Sequence, residues 1–162
     1  MIRVKTPDES VKPAPPGALE ELVFEIFRLN ALLLAAGDEL TRDLGLTSAR
    51  WQILGALNAA GRPLTVSQTA RNMALTRQAV QRVADDLARG GFTRYAANAD
   101  HARSKLITVT AEGRAAFAAA MRLQSRWERV TLTDAGFDER KIRALLSRLN
   151  ALRQALERSE DR

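Results

Sequence analysis

From Ala18 to about Leu44 the apolar residues Leu19, Leu22, Val23, Ile26, Leu29, Leu33, Ala36, Leu40 and Leu44 recur at helical spacing, with Glu20, Glu21, Glu25, Arg28 and Glu39 off that stripe. The pattern predicts one long amphipathic helix, on the order of 40 Å at 1.5 Å per residue. Thr47 is placed to cap a second helix carrying Trp51, Leu54 and Leu57, which the Gly61-Arg62-Pro63 breaker ends. Thr65-Val66-Ser67-Gln68 fits a capping box, in which the Thr65 hydroxyl accepts from the Gln68 amide and the Gln68 side chain returns to the Thr65 amide. A short helix is therefore expected from Val66, burying Val66, Ala70 and Met73, with a bend at Asn72 to Leu75 before Thr76 caps the next helix.

That next helix, Arg77 to Arg89, divides into two faces. Val80, Val83, Ala84 and Leu87 occupy i, i+3, i+4 and i+7, a core stripe, while Arg77, Gln78, Gln81 and Arg82 fall on the other side near the N-terminal end. Gly90-Gly91 ends it as a C-cap would. Phe92 to Tyr95 and the β-branched run Lys105 to Val109 then predict a β-hairpin with a long charged tip. A helix from Thr110 to about Ala135-Gly136 follows, and a last one capped by Asp138 has a stripe at Ile142, Leu145, Leu146, Leu149, Leu152 and Leu156. Residues 1–17 hold four of the five prolines and read as a flexible tail.

Charge sharpens this division. Residues 1–46 hold 5 basic and 8 acidic side chains, residues 47–110 hold 9 and 3, and residues 111–162 hold 11 and 8, so the overall +6 is matched by the middle third alone. Such a concentration favours a polyanion, because neutralising phosphates releases counterions. The chain has no cysteine, which excludes disulfides, thiol chemistry and zinc-thiolate sites, and its one histidine, His101, the only base for a nucleophile triad, sits in a charged loop with no defined oxyanion site nearby. Asp85-Asp86 and Glu20-Glu21, being adjacent, point to different sides of their helices and do not form a general acid/base pair, and no phosphate-binding glycine loop of the P-loop type is present. These residues predict neither an enzyme nor a cofactor or metal site; Asp85 and Asp86 read as solvated or as partners of neighbouring arginines. The longest uncharged stretch, Trp51 to Gly61, is eleven residues, short of the roughly 18 a membrane span needs. A cytoplasmic protein is expected.

Two short helices joined by a bend, the second exposing Arg and Gln from its first turns, meet the requirements of a helix-turn-helix. Such a helix fits the major groove, where Arg bonds guanine O6 and N7 and Gln bonds adenine N6 and N7. The candidate DNA-binding residues are Thr76, Arg77, Gln78, Gln81 and Arg82 on the helix, with Arg103 and Lys105, and Arg94 beside them, supplying charge from the hairpin as a wing. Mainly α architecture with a small β-hairpin wing is expected: a tail (1–17), a dimerisation helix (18–46), a winged helix-turn-helix lobe (47–110) and C-terminal dimerisation helices (111–162).

Leu46-Thr47-Ser48-Ala49-Arg50-Trp51-Gln52-Ile53-Leu54, Ala84 to Phe92, and Asp100-His101-Ala102-Arg103-Ser104-Lys105-Leu106-Ile107-Thr108-Val109-Thr110-Ala111-Glu112-Gly113 together resemble the multiple antibiotic resistance regulator (MarR) family. In helix order the resemblance covers residues 19–158, and its specific motif lies in 92–113. It implies a dimeric winged-helix transcription factor, many members being repressors released by small aromatic or anionic ligands, with double-stranded DNA and a second copy as partners. Family members pair a wing Arg with an Asp two residues before it; here His101 stands there and Asp100 lies three before Arg103. A ligand pocket, by resemblance, would draw on Phe24, Phe27, Arg50 and Trp51. The alternative is a winged-helix DNA-binding protein with no ligand response, constitutive or acting through a partner protein.

Overall fold

The structure, a computed structural model, describes residues 17–99, 101 and 104–160. Of the expected tail, only Gly17 is among them. The elements run α1 (Ala18–Thr41), a single 3-10 turn (Arg42–Leu44), α2 (Ser48–Ala60), β1 (Leu64–Thr65), α3 (Val66–Met73), α4 (Arg77–Arg89), β2 (Thr93–Ala96), β3 (Leu106–Val109), α5 (Ala111–Asp134) and α6 (Glu139–Glu160).

Local chemistry accounts for most of these boundaries. Thr47 accepts the Arg50 amide at the start of α2, Thr65 and Gln68 form the reciprocal capping box of α3, Thr76 accepts the Ala79 amide at the start of α4, and Asp138 accepts the Lys141 amide before α6. Helix α4 closes in a Schellman turn, in which Phe92 N–H donates to Leu87 O at 3.0 Å and Gly91 N–H to Ala88 O at 3.1 Å. Gly91 takes the left-handed φ of 78° that this turn requires. The bend after α3 uses the same hydrogen-bond pattern, Leu75 N–H to Ala70 O and Ala74 N–H to Arg71 O, but with an alanine at φ 52°.

The described residues form two compact units, one from Ile26 to Arg126 and the other from residues 17–25 with 127–160. The first holds the core: Leu46, Ile53, Leu54 and Leu57 around α2, Leu64 and Ile107 from the sheet, Ala70 from α3, Val80, Val83, Ala84 and Leu87 from α4, Phe92 and Ala120. The α4 stripe is thus buried as its spacing predicts. Each Val or Leu so buried contributes about 1.5–3 kcal/mol relative to exposure.

The hairpin is one part of a three-stranded antiparallel sheet in the order β1-β3-β2. Thr93 pairs with Val109 and Tyr95 with Ile107, and on the other edge Leu64 pairs with Ile107 and Thr65 with Leu106. The expected hairpin is present as β2 and β3, and β1 adds a third strand that the sequence reading did not include. β1 has only two residues, too few for an alternating pattern, and Thr65 serves both as its last residue and as the cap of α3.

Backbone approach is closest where α5 leaves the sheet. Thr110 N–H donates to Phe92 O at 3.1 Å, the Thr110 hydroxyl oxygen accepts the Gly113 amide at 3.0 Å, and a Cβ on Gly113 would lie 2.0 Å from Phe92 O. Gly37 is similarly constrained, a Cβ there falling 2.2 Å from Ser48 Oγ. In contrast, the expected stripes of α1 and α6 are largely uncovered within one chain: Leu19, Leu22, Val23, Leu29 and Leu33 are exposed on α1, as are Leu145, Leu146, Leu149 and Leu156 on α6.

Gly113→Ala separates helix propensity from packing. An alanine gains about 1 kcal/mol in a helix, whereas overpacking against a fixed carbonyl costs about 1–3 kcal/mol. The expected outcome is a lower unfolding midpoint in thermal or urea denaturation; a raised midpoint would show that α5 moves away from Phe92 at little cost.

Candidate nucleic-acid interface

Burial of Val80, Val83, Ala84 and Leu87 turns the opposite side of α4 outward, and Thr76, Arg77, Gln78, Gln81 and Arg82 are all exposed. Arg77 and Arg82 pair with no carboxylate among the described residues. A cleft of about 520 Å³ lies between the first turns of α4 and the wing, lined by Val66, Ser67, Arg77, Gln78, Gln81, Asp85, Tyr95, Ser104 and Lys105. The structure therefore brings three of the sequence-derived α4 candidates and Lys105 to one concavity. Lys105 Nζ sits 5.9 Å from the centroid of the Tyr95 ring, within range of a cation–π attraction. Arg94 is exposed on β2. Arg103 and Asp100 lie outside the described residues, and His101 is exposed.

The sequence reading did not place two residues at this cleft, Asp85 and Tyr95. Tyr95 O–H donates to Asp85 Oδ1 at 2.6 Å, and Gln81 Nε2 lies 2.8 Å from the same oxygen and 2.9 Å from the Tyr95 hydroxyl. Asp85 is thus tied to a phenol and an amide, where an arginine partner or solvent was expected. The Gln81 to Asp85 spacing of i, i+4 was a usable signal; Tyr95 carried none, because its meeting with α4 depends on how the wing folds back. Burial, reinforced by the hydrogen bond to Asp85 and its negative charge, pushes the Tyr95 phenol up to about 12, while the Gln81 amide acts weakly the other way. Asp86 behaves as expected, pairing with Arg89 and, at 3.8 Å, with Arg50.

The four candidate ligand residues have other placements. Arg50 is half-buried, donating to Gly45 O at 3.2 Å as well as facing Asp86. Trp51 is half-buried against the core, and Phe24 and Phe27 are exposed on α1 by 56% and 64%. None of the four lines the cleft between α4 and the wing.

Two helices meeting at a tight turn, with a polar second helix set beside a β-wing, define a winged helix-turn-helix protein. Residues 44–104 of the chain match the MarR family. A curated relative from Mycobacterium tuberculosis, the uncharacterised protein Rv2011c, is 42% identical over 96 residues, which cover 59% of this chain and 66% of that relative's length. Among solved structures, Sco5413 from Streptomyces coelicolor, a MarR family transcriptional regulator, is 25% identical with a TM-score of 0.74, over 85% of this chain and 94% of that one. A mutant MarR from E. coli complexed with operator DNA shares the fold at a TM-score of 0.75 and 19% identity, over 84% of this chain and 96% of that one.

Tyr95 is the only tyrosine, so its titration can be followed by tyrosinate absorbance without interference from another phenol. Its folded pKa of about 12 lies above the ordinary value of about 10, so the folded state holds the proton more tightly. The stability it contributes is complete below about pH 10 and is lost as pH rises from about 10 to about 12. Asp85→Ala is expected to lower the midpoint toward 10; a wild-type midpoint already near 10 would contradict the contact between Tyr95 and Asp85.

Proposed function

We propose that this chain is a sequence-specific DNA-binding transcriptional regulator, a cytoplasmic repressor that binds a pseudopalindromic operator as a homodimer. The observation that carries the reading is the exposed Arg-Gln-Gln-Arg face of α4 beside a wing cleft, in the lobe that concentrates positive charge. Arg77 and Arg82 have the geometry-seeking donors that guanine O6 and N7 accept, and Gln78 and Gln81 the amides that meet adenine edges. Thr76, at the helix start, and Lys105, on the wing, are suited to phosphate oxygens, as is Arg103. Binding of operator DNA by the E. coli MarR mutant supports the same assignment by analogy of fold.

The homodimer is supported by the apolar surface. Of the large hydrophobic side chains exposed among the described residues, only Leu75 belongs to residues 47–110; the others lie on α1, on α5, on α6 or, as Phe137, just before α6. A soluble monomer rarely leaves so much apolar surface contiguous along helices, and a second copy is the partner always present to cover it. A two-fold pair would set two recognition helices about 34–36 Å apart, one turn of the duplex.

Release by a small aromatic or anionic ligand completes the proposal, with Phe24, Phe27, Arg50 and Trp51 as its candidate contacts. The engagement of Arg50 with Gly45 and Asp86 favours a second reading, a regulator without ligand response. A melting screen against aromatic acids separates them, since a ligand of the native state raises the midpoint by mass action.

The purified chain is expected to bind a palindromic duplex from upstream of its own gene, with affinity falling steeply as salt rises. Arg77→Ala and Arg82→Ala should each cost about 1–3 kcal/mol and relax preference at one base pair, whereas Lys105→Ala should weaken all duplexes evenly. Binding insensitive to salt, or no binding, would sink the reading. In sedimentation the free protein should run at twice its chain mass of 17.8 kDa; a species at the chain mass at micromolar concentration would remove the dimer.

A further inference from the structure

The amide of Gln81 is not free to present either end to a ligand. Its Nε2 lies 2.8 Å from Asp85 Oδ1 and 2.9 Å from the Tyr95 hydroxyl. An ionised carboxylate can only accept, so nitrogen rather than oxygen must face Asp85. The Tyr95 proton is given to that same carboxylate oxygen at 2.6 Å, so the phenol oxygen is left to accept from Gln81. Nε2 thus has two acceptors within reach on its inner side, one on α4 and one on the wing, and each can take one of its two hydrogens in a bent bond. Oε1 has no donor among the described residues and is the polar atom that Gln81 offers to the cleft.

We propose that Asp85 and Tyr95 are positioning residues that make Gln81 a pure hydrogen-bond acceptor, so that its base pair is read as amino against keto rather than as adenine alone. The inference rests on the DNA-binding reading above. An unrestrained Gln bonds adenine with both ends, Oε1 to the N6 amino group and Nε2 to N7. With Nε2 occupied, only the first bond remains. In the major groove the exposed amino groups are adenine N6 and cytosine N4, whereas guanine and thymine present carbonyl oxygens there. A lone acceptor therefore takes adenine or cytosine on the contacted strand and rejects guanine and thymine, facing either with two acceptors opposed. Because one of the two restraints sits on β2, displacement of the wing from α4 would also free the amide.

The test is selection of duplexes from a randomised pool by the full-length protein and by three variants, read by sequencing. Gln81→Ala marks the base pair that Gln81 reads, as the position where preference is lost. In the wild type that position is expected to hold adenine and cytosine at comparable frequency, each on the order of tenfold above guanine and thymine. Asp85→Ala releases the amide, and adenine should then exceed cytosine by about tenfold as Nε2 reaches N7. Tyr95→Phe keeps the ring packing, frees one amide hydrogen and should shift preference the same way, which guards against a folding defect in either variant. A merely structural role for Asp85 and Tyr95 would lower affinity for every duplex and leave the base preference unmoved; that result overturns the inference. So does a wild-type position that already excludes cytosine, or a Gln81→Ala variant that loses preference nowhere. If the wild type enriches no sequence, the DNA-binding reading itself falls, and this inference with it.

Discussion

Burial of Val80, Val83, Ala84 and Leu87 is the constraint from which the working surface of this lobe follows. All four are at most 8% exposed, and a helix of 3.6 residues per turn that fixes one side has no choice about the other. Rotating α4 by one residue, about 100°, would bring polar side chains of its outer face toward an apolar core, where an unpaired charge cannot be accommodated. Arg77, Gln78, Gln81 and Arg82 therefore face outward because of residues they do not touch. What the surface presents and what the core packs are two consequences of one interface.

The rest of the lobe keeps α4 at a set height and angle. Thr65 and Gln68 hold α3, the left-handed turn at Ala74 sets the bend, and the Schellman turn at Gly91 aims the chain into β2. Acid placement follows the same logic. Residues 47–110 have three carboxylates against nine basic groups, and the two that are described are both occupied: Asp86 by Arg50 and Arg89, Asp85 by Tyr95 and Gln81. Neither is placed against Arg77 or Arg82. The charges best able to meet a polyanion keep their full strength at the surface.

Features that depend on near neighbours in sequence were legible before the structure. Thr47, Thr65, Thr76 and Asp138 as caps, the start and end of α4, and its buried stripe all rest on hydrogen bonds or spacings spanning a few residues. What escaped depends on pairings distant along the chain. β1 exists because Leu64 and Thr65 meet Ile107 and Leu106, and Gly113 is required by the carbonyl of Phe92. Thr69, fully buried in α3 with its hydroxyl on Thr65 O at 3.0 Å, looks like a surface residue until the core is assembled around it. At the site, the outward residues of α4 were legible and their restraint was not. Asp85 could be seen one turn from Gln81, but nothing in the sequence brings Tyr95 to both.

That restraint exchanges information for readiness. A Gln side chain free in solution loses about 1.5–2 kcal/mol of rotamer entropy when ordered, and in a contact made from a mobile helix face this loss is subtracted from binding. Here the ordering is complete before any ligand arrives, so a bond to Oε1 forms without that cost, the usual advantage of preorganisation. In the proposed arrangement the same hydrogen bonds that hold the amide take up its donors, leaving one bond where an unrestrained Gln makes two. Arg77 and Arg82 carry no such restraint among the described residues, and they retain the bidentate geometry that guanine requires. On the DNA-binding reading proposed above, Arg77 and Arg82 bring bidentate contacts to α4 and the restrained Gln81 a single one, with the wing holding the glutamine.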